Sequence, residues 1–531
     1  MKKLRLVSLI LVLVLAASLF AGCGEKEAKK DAKKDVSGEV TWVVVGTEAA
    51  DNNSVFEEFN AKLKEKTGCT VKFEYIDQTQ YDLKFAAGDG FDLILCPDWL
   101  GYWQNVSKDA FMELKEEDFK TYTPYIWENG KEMLDAAMFE GKYYAIPGIN
   151  KYSPNRTLIA RGDLMDKLEI ESLNNIDDID KFLMGVADLN KKGETNIVPY
   201  NAAGGSPWMI FSMWASDWGW AAPGSLSFGG HYYYSVFDDD RELFIAVDKK
   251  EVKDYSDTVK KWYDNGVFSK SVLSNNTTAE ESYRNGKSAF AWTSSPASAN
   301  ILYNDLKKIP GADKWDTRFY SMYSKLQKTY GYLNCAVAVS ATSKNKEAAL
   351  TVLDAIYADK DMHNLILFGF EGKHYELNEN GEYIPKSENY VAPNLGLKNE
   401  AYEFEVQYDY PYALDLVEEM NNIAVADPLV NCAINSEGEM ASLAVQLNDV
   451  FTEYSSPRMY GAVPDVKAAI KKEKEALKIA GIDKYLKHVQ VQMDEYVKTH
   501  QEAEAEFKKS RQKVLDYKKK NPNKVNPKDY K

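Results

Sequence analysis

The run Val40-Thr41-Trp42-Val43-Val44-Val45, closed by Gly46, constrains this chain most. Six residues rich in β-branched side chains, with hardly any polar alternation, predict a strand covered on both faces. A helical pattern follows, with Phe56, Phe59 and Leu63 on one face, Asn53 or Ser54 as the expected cap and Gly68 as the stop. Thr70 to Ile76 then alternates apolar and polar as a second strand, and Asp92-Leu93-Ile94-Leu95-Cys96 makes a third, ended by Pro97. Strands alternating with helices predict an α/β fold with a mostly parallel sheet. Ligands on such sheets collect in loops beyond the carboxyl ends of the strands. Residues 46–53 and 97–103 are thereby marked as candidate ligand loops.

The N-terminus speaks to compartment. Lys2, Lys3 and Arg5 precede the apolar stretch Leu6 to Phe20, and Ala21, Gly22 and Cys23 follow at once. A basic start, a short apolar core and small residues before a cut site predict a signal peptide over 1–22. The apolar stretch is shorter than the roughly 20 residues a bilayer-spanning helix needs. The segment resembles a bacterial lipobox, with Phe20 where Leu is usual, and this implies lipidation of Cys23. Residues 23–38 are Lys, Glu, Ala and Asp with hardly a large apolar side chain, too little to offset chain entropy, so they read as a tether.

The whole chain carries −16, and removing the three basic leader residues brings the mature part to about −19. That balance argues against nucleic acid or an anionic membrane surface as a partner, leaving membrane contact to the lipid anchor. The roughly 490 residues after the tether exceed one small core and suit two lobes. Cys69, Cys96, Cys335 and Cys432 are scattered without metal-ligand spacing and read mainly as buried thiols, with pairing left open.

Several segments resemble the carbohydrate-binding proteins of ABC importers, the family 1 extracellular solute-binding proteins. Gly90-Phe91-Asp92-Leu93-Ile94-Leu95-Cys96-Pro97-Asp98-Trp99 is similar to a strand and ligand loop of that family. Gly141 to Pro147 and Arg156 to Leu164 resemble a first crossing between lobes. Trp262 to Gly266 and Asn285 to Phe290 resemble two second-lobe signatures, and Phe370 to Leu377 resembles the large Gram-positive lipoproteins like LipO. The resemblance implies a two-lobed, periplasmic-binding-protein-like α/β fold with hinge-linked lobes and a helical C-terminal extension. It places lobe 1 at 39–155 plus about 320–375, lobe 2 at 156–319 plus about 376–460, and the extension at 461–531. Independently, Ala469, Ile470, Leu477, Ile482, Tyr485, Val489 and Met493 keep a helical spacing broken near Gly481. Such helices are expected to pack on the body with charges outward.

A sugar ring offers an apolar C–H face and a rim of hydroxyls, which suits an aromatic platform flanked by polar side chains. Aromatics make up 13% of the chain and crowd into 208–234, a stretch without a family match. Most should fill the core. Trp208, after Gly204-Gly205-Ser206-Pro207, and Trp220, before Ala221-Ala222-Pro223-Gly224, are the better ligand candidates. Asp98 and Trp99 match the family's ligand loop, where an acidic side chain accepts sugar hydroxyls. Glu48 and Asp51 lie in the first strand-to-helix loop, Asn150 and Tyr152 just before the first crossing, and Trp292 beyond Ala289-Phe290-Ala291. The family often stacks a Trp just after the proline matching Pro296, but Ala297 stands there. Glu371 and His374 belong to the lipoprotein signature, and for His374 a structural role is an equal alternative.

No zinc pattern, nucleophile elbow or phosphate loop occurs. Asp188 opens like a calcium loop but meets Lys192 and Pro199 where ligands are required. No catalytic residue, metal or cofactor is expected. The partners implied are a carbohydrate, ABC transporter permease subunits and, through the anchor, the outer membrane face; a monomer is expected. Three alternatives stay open: a peptide or other solute in the same fold, a surface glycosidase or lyase, and a ligand reporter for a membrane sensor.

Overall fold

The computed structural model describes residues 36–531 apart from 87, 89, 150–155, 225–229, 330, 388, 433, 521–526 and 531. Strand β1 (Gly38–Val45) runs through the middle of a first sheet, and Trp42, Val43 and Val44 have no exposed surface. Helix α1 (Asn52–Thr67) follows and ends at Gly68, whose φ of 78° lets its N–H close on the Lys64 carbonyl. The helix begins before the expected caps Asn53 and Ser54. Buried Asn52 donates to the Tyr75 hydroxyl (2.5 Å) and the Val391 carbonyl (2.9 Å), which pins it into the first turn. Strand β2 (Cys69–Ile76) pairs parallel with β1 along its whole length, and β3 (Leu93–Leu95) pairs parallel on the other side. The short β4 (Ile146–Pro147) closes this part of the chain.

The second sheet starts with β5 (Thr157–Ala160) and β6 (Val198–Tyr200), joined through the aromatic helix α2 (Pro207–Trp218) and α3 (Lys250–Asn265) to β7 (Ser288–Thr293) and β8 (Arg318–Ser321). Its order is β8-β5-β7-β6, with β5 antiparallel to both neighbours and β6 parallel to β7. The chain then returns to the first sheet as β9 (Ala336–Val339), giving the order β2-β1-β3-β9-β4. Because β9 arrives from the other lobe rather than over a crossover helix, it pairs antiparallel with β3 and β4. Both sheets are therefore mixed, where the strand and helix alternation predicts a mostly parallel one. Helix α4 (Lys346–Ala358) then packs over α1 and β1.

Three stretches beside the expected lobe boundaries show how the chain packs there. Arg318–Ser321 pairs with β5, and Met322, Tyr323 and Leu326 belong to the core around the second sheet. Residues 389–400 remain on lobe 1: Asn394 bridges Val45, and Gly396 (φ 72°) lies where a Cβ would strike the Ala336 carbonyl. Asn399 bridges Ile149, and beyond it Tyr410 tilts against the Phe319 ring with Tyr412 edge-on to Tyr410. The third concerns the C-terminus. Helices α5 (Val466–Ile479), α6 (Ile482–Thr499) and α7 (Gln501–Lys520) bury Leu477, Val489, Met493, Phe507 and Val514 in the same core as β5 and β7. These helices thus pack on the body through a core shared with the second sheet.

Residues 37–531 form one compact unit. Cys69, Cys96 and Cys432 are buried, Cys335 is half-buried, and all four are free thiols. Among the described residues no helix is long and apolar enough to cross a membrane.

Candidate functional site

Sheet register decides which side chains meet. Thr157 lies opposite Thr293 on one side and Ser321 on the other, so Arg156, Trp292 and Tyr323 emerge at one end of the second sheet. β6 runs parallel to β7, so its loop toward Trp208 leaves at that same end. Arg156 gathers them. Its guanidinium lies 5.2 Å from the Trp208 ring and 6.0 Å from the Trp292 ring, and its Nη1 donates to the Tyr323 hydroxyl at 2.9 Å. Both indoles are half-buried, and a cation over an aromatic face is attracted by the ring quadrupole.

On lobe 1, Asp98 and Trp99 form the turn after β3. The Asp98 carboxylate accepts from the Trp99 backbone N–H at 2.6 Å. The Trp99 indole N–H donates at 3.0 Å to the Asn334 carbonyl in the return crossing, and 37% of the side chain's surface stays open. The crossing itself carries a cation. Gln327–Lys328 pairs with Ala424–Val425, and the Lys328 ammonium donates at 2.8 Å to the Ala222 carbonyl, just beyond Trp220. Burial pushes the Lys328 amine down, against the opposing pull of Asp427 and Asp98. Lys328 thus faces the Asp98 loop of one lobe and the Trp220 loop of the other.

The remaining candidates fall into separate groups. Trp220 packs at 4.6 Å on Trp218 and 4.9 Å on Phe244, so its ring serves an aromatic cluster rather than the Arg156 group. Asp51 accepts from Lys373 (2.9 Å) and from His374 Nε2 (3.2 Å), and these two bonds hold its carboxyl below the usual range. His374 is buried; its Nδ1 accepts from the Phe370 N–H at 2.9 Å, which leaves the proton on Nε2. Sandwiched between Phe370 and Tyr390, this histidine braces the loop that Asp51 opens. Glu48 and Glu371 are exposed. Asn150 and Tyr152 lie outside the described residues, as does Cys23. Among the described residues no three His, Cys, Asp or Glu side chains gather as a metal-holding group.

Arg156, Tyr323 and Lys328 are absent from the sequence candidates. Arg156 is visible only as the opening residue of the crossing motif, and nothing in Gln327-Lys328-Thr329 distinguishes that lysine from a solvated one.

Two α/β lobes joined by crossing strands, with aromatic and charged side chains converging at the junction, are the build of a solute-binding protein. The family described as bacterial extracellular solute-binding protein matches residues 55–364, more than half of the chain, and the chain belongs to it. A domain of unknown function (DUF3502) matches 440–498, within the helical region fused to lobe 2. A carbohydrate ABC transporter substrate-binding protein of Streptococcus pneumoniae serotype 4 (strain ATCC BAA-334 / TIGR4) is 21% identical over 390 residues, 70% of this chain and 72% of that protein. Among solved structures, the N-glycan transport solute binding protein NgtS of Streptococcus pneumoniae, in complex with Man1GlcNAc, superposes with a TM-score of 0.65. It is 16% identical and covers 87% of this chain and 100% of its own. The alginate-binding protein AlgQ2 without calcium ion superposes at 0.63, with 18% identity over 87% of this chain and 99% of its own. At these identities the likeness is one of fold.

Proposed function

We propose that this protein binds an oligosaccharide between its lobes and delivers it to the permease subunits of an ABC importer, without transforming it. One observation carries the reading: Arg156 draws Trp208 and Trp292 together at the end of the second sheet. That grouping offers stacking faces and a cation, and Asp98, Trp99 and Lys328 add acceptor, ring and donor beside the crossing. Micromolar affinity needs about −8 kcal/mol, and a net hydrogen bond gives only about 0.5–1.5 kcal/mol. Several polar contacts plus stacked rings are therefore required, and this is the mixture the junction supplies. The S. pneumoniae relative's description as a carbohydrate transport protein supports the same choice of ligand.

The test is a thermal-shift and calorimetry screen of residues 37–531 with neutral and acidic oligosaccharides alongside peptides. Ligand at about a hundredfold its Kd adds roughly 2.7 kcal/mol to folded stability, so a binding sugar raises Tm measurably. The recovered sugar should be unchanged after long incubation. Stabilisation by peptides alone, or shortened or unsaturated sugar products, would overturn the reading.

Anchoring through acyl chains on Cys23, palmitate among them, completes the proposal, since two signals hold a protein stably where one chain is marginal. Cys23→Ala should release the protein into the medium or leave it uncleaved. Equal membrane association of wild type and variant, with no lipid on Cys23 by mass spectrometry, would remove the anchor from the picture.

A further inference from the structure

The net charge of −16 hides a strong segregation. Residues 508–531 contain ten Lys or Arg against Asp516 and Asp529, a local +8 that leaves −24 on residues 1–507. Helix α7 lays much of this charge on one side. Its inner side is fixed by Phe507 and Val514 in the core, by Arg241 stacked 4.5 Å from the Phe507 ring, and by Ser510, whose hydroxyl accepts from the Ala426 N–H at 3.2 Å. Its outer side opens a furrow lined by Lys509, Gln512, Lys513, Asp516, Tyr517 and Lys520.

Several basic residues of the segment already have partners: Lys508 pairs with Glu504, Arg511 with Asp239 and Lys528 with Asp166. Asp516, the acidic residue of the furrow, is engaged by Gln512 at 3.0 Å and Lys519 at 4.0 Å. Lys509, Lys513 and Lys520 are exposed and have no ion-pair or hydrogen-bond partner among the described residues. Three unpaired ammonium groups therefore share one stripe of a helix that is locked onto lobe 2.

We propose that this stripe adsorbs to an anionic phospholipid surface, a membrane contact of its own beside the lipid anchor. The chemistry favours a lipid surface over a protein partner. Protein interfaces are centred on buried Trp, Tyr and Arg anchors and are depleted in Lys, whereas this stripe presents three lysines, and its one aromatic, Tyr517, is half-buried against the core. Mobile point charges suit a diffuse layer of headgroups. The −24 elsewhere does not forbid it, because salt screens charges beyond a Debye length of about 8 Å. Screening and segregation together undo the whole-chain average that reserved membrane contact to the anchor. Adsorption through α7 turns lobe 2 toward the bilayer, the side where permeases lie.

The probe is vesicle co-sedimentation with the chain starting at Gly24, which lacks leader and Cys23 while keeping the self-contained unit. Vesicles of phosphatidylglycerol with phosphatidylcholine should bind it at low salt, pure phosphatidylcholine should not, and high salt should release it. Each surface lysine is worth about fivefold in partitioning, so Lys509→Glu/Lys513→Glu/Lys520→Glu, which reverses three charges, should weaken binding by at least roughly a hundredfold. A control of equal charge, Lys108→Glu/Lys344→Glu/Lys360→Glu, reverses three exposed lysines of lobe 1 and should bind as wild type does. Thermal melting checks that both variants fold. Absence of binding to anionic vesicles, or equal weakening by both triple variants, would overturn the proposal.

Discussion

Replacing Arg458 with Met lowers the unfolding free energy by about 3–5 kcal/mol, the expected penalty for removing one partner of a buried ion pair. Arg458 is 2% exposed and Glu473 1%. The guanidinium Nε donates to Glu473 at 2.5 Å, its Nη2 donates to the other carboxylate oxygen at 3.0 Å, and its Nη1 reaches the Ser256 hydroxyl at 3.0 Å. Ser455 donates the further bond to Glu473, at 2.7 Å. This network binds α5 to α3 and so joins the C-terminal helices to lobe 2. Burial pushes the Glu473 carboxyl up, but the Arg458 charge and the bonds from Arg458 and Ser455 outweigh it and hold it below its ordinary 4.5.

The pH dependence follows with opposite signs in the two proteins. In the wild type the depressed carboxyl contributes stability fully above about pH 4.5, and loses it as pH falls through the folded value. Without Arg458, burial outweighs the remaining Ser455 bond and raises the carboxyl, so the variant loses stability as pH rises through that raised value. The gap is therefore widest at neutral pH and narrows in acid. Arg458→Met/Glu473→Leu should recover most of the loss, because two apolar groups replace the pair without stranding a charge. Urea midpoints at neutral and acid pH measure all of this. A single variant costing under about 1 kcal/mol at neutral pH would mean that water reaches Glu473.

What could be read from the residues depended on how local the determinant was. The strand at Val40–Val45, the helix behind Phe56, Phe59 and Leu63, and its Gly68 stop depend on neighbours within a few positions, so pattern was enough. The helix start was misplaced because Asn52 is held by Tyr75 and by Val391, a partner 339 positions away. Mixed pairing escaped for the same reason: whether β9 enters parallel or antiparallel depends on where the chain has been, not on Ala336–Val339 itself. The C-terminal helices were legible as helices, yet only packing shows that Leu477 and Phe507 share a core with Leu158. Among the proposed site residues, aromatic chemistry singles out Trp208, Trp292 and Trp220 alike; only packing separates the two beside Arg156 from Trp220 on Trp218. Arg156 and Lys328 owe their positions to sheet register and a crossing strand, and neither leaves a trace in residue type or spacing.

Removing one aromatic ring from each lobe should have the largest effect on ligand binding. Trp99 and Trp208 stand on lobe 1 and lobe 2; Trp99 is exposed, and half-buried Trp208 rests on the edge of the core around the second sheet. A stacked ring contributes about 0.5–1.5 kcal/mol beyond its area, and covered apolar area adds roughly 25 cal/mol per Å². Trp99→Ala/Trp208→Ala should therefore weaken binding of a sugar found in the screen by at least about 2 kcal/mol, roughly thirtyfold. Melting of the empty protein should move only modestly, through the part of Trp208 that rests on the core. The pairing of lobes gives the experiment a second readout. Ligand shifts an open–closed equilibrium only by its differential affinity for the closed form, and contact with both lobes at once supplies that difference. Each single variant keeps one platform, and should still bind, with a smaller decrease in radius of gyration by scattering at matched saturation. The two losses should couple rather than add, because rings that meet one ligand across a closing junction share the closure step. Strict additivity with undiminished closure would place both rings outside the ligand's path. A double variant that binds normally but melts far earlier would make them structural, and the ligand would then have to be sought away from the crossing strands.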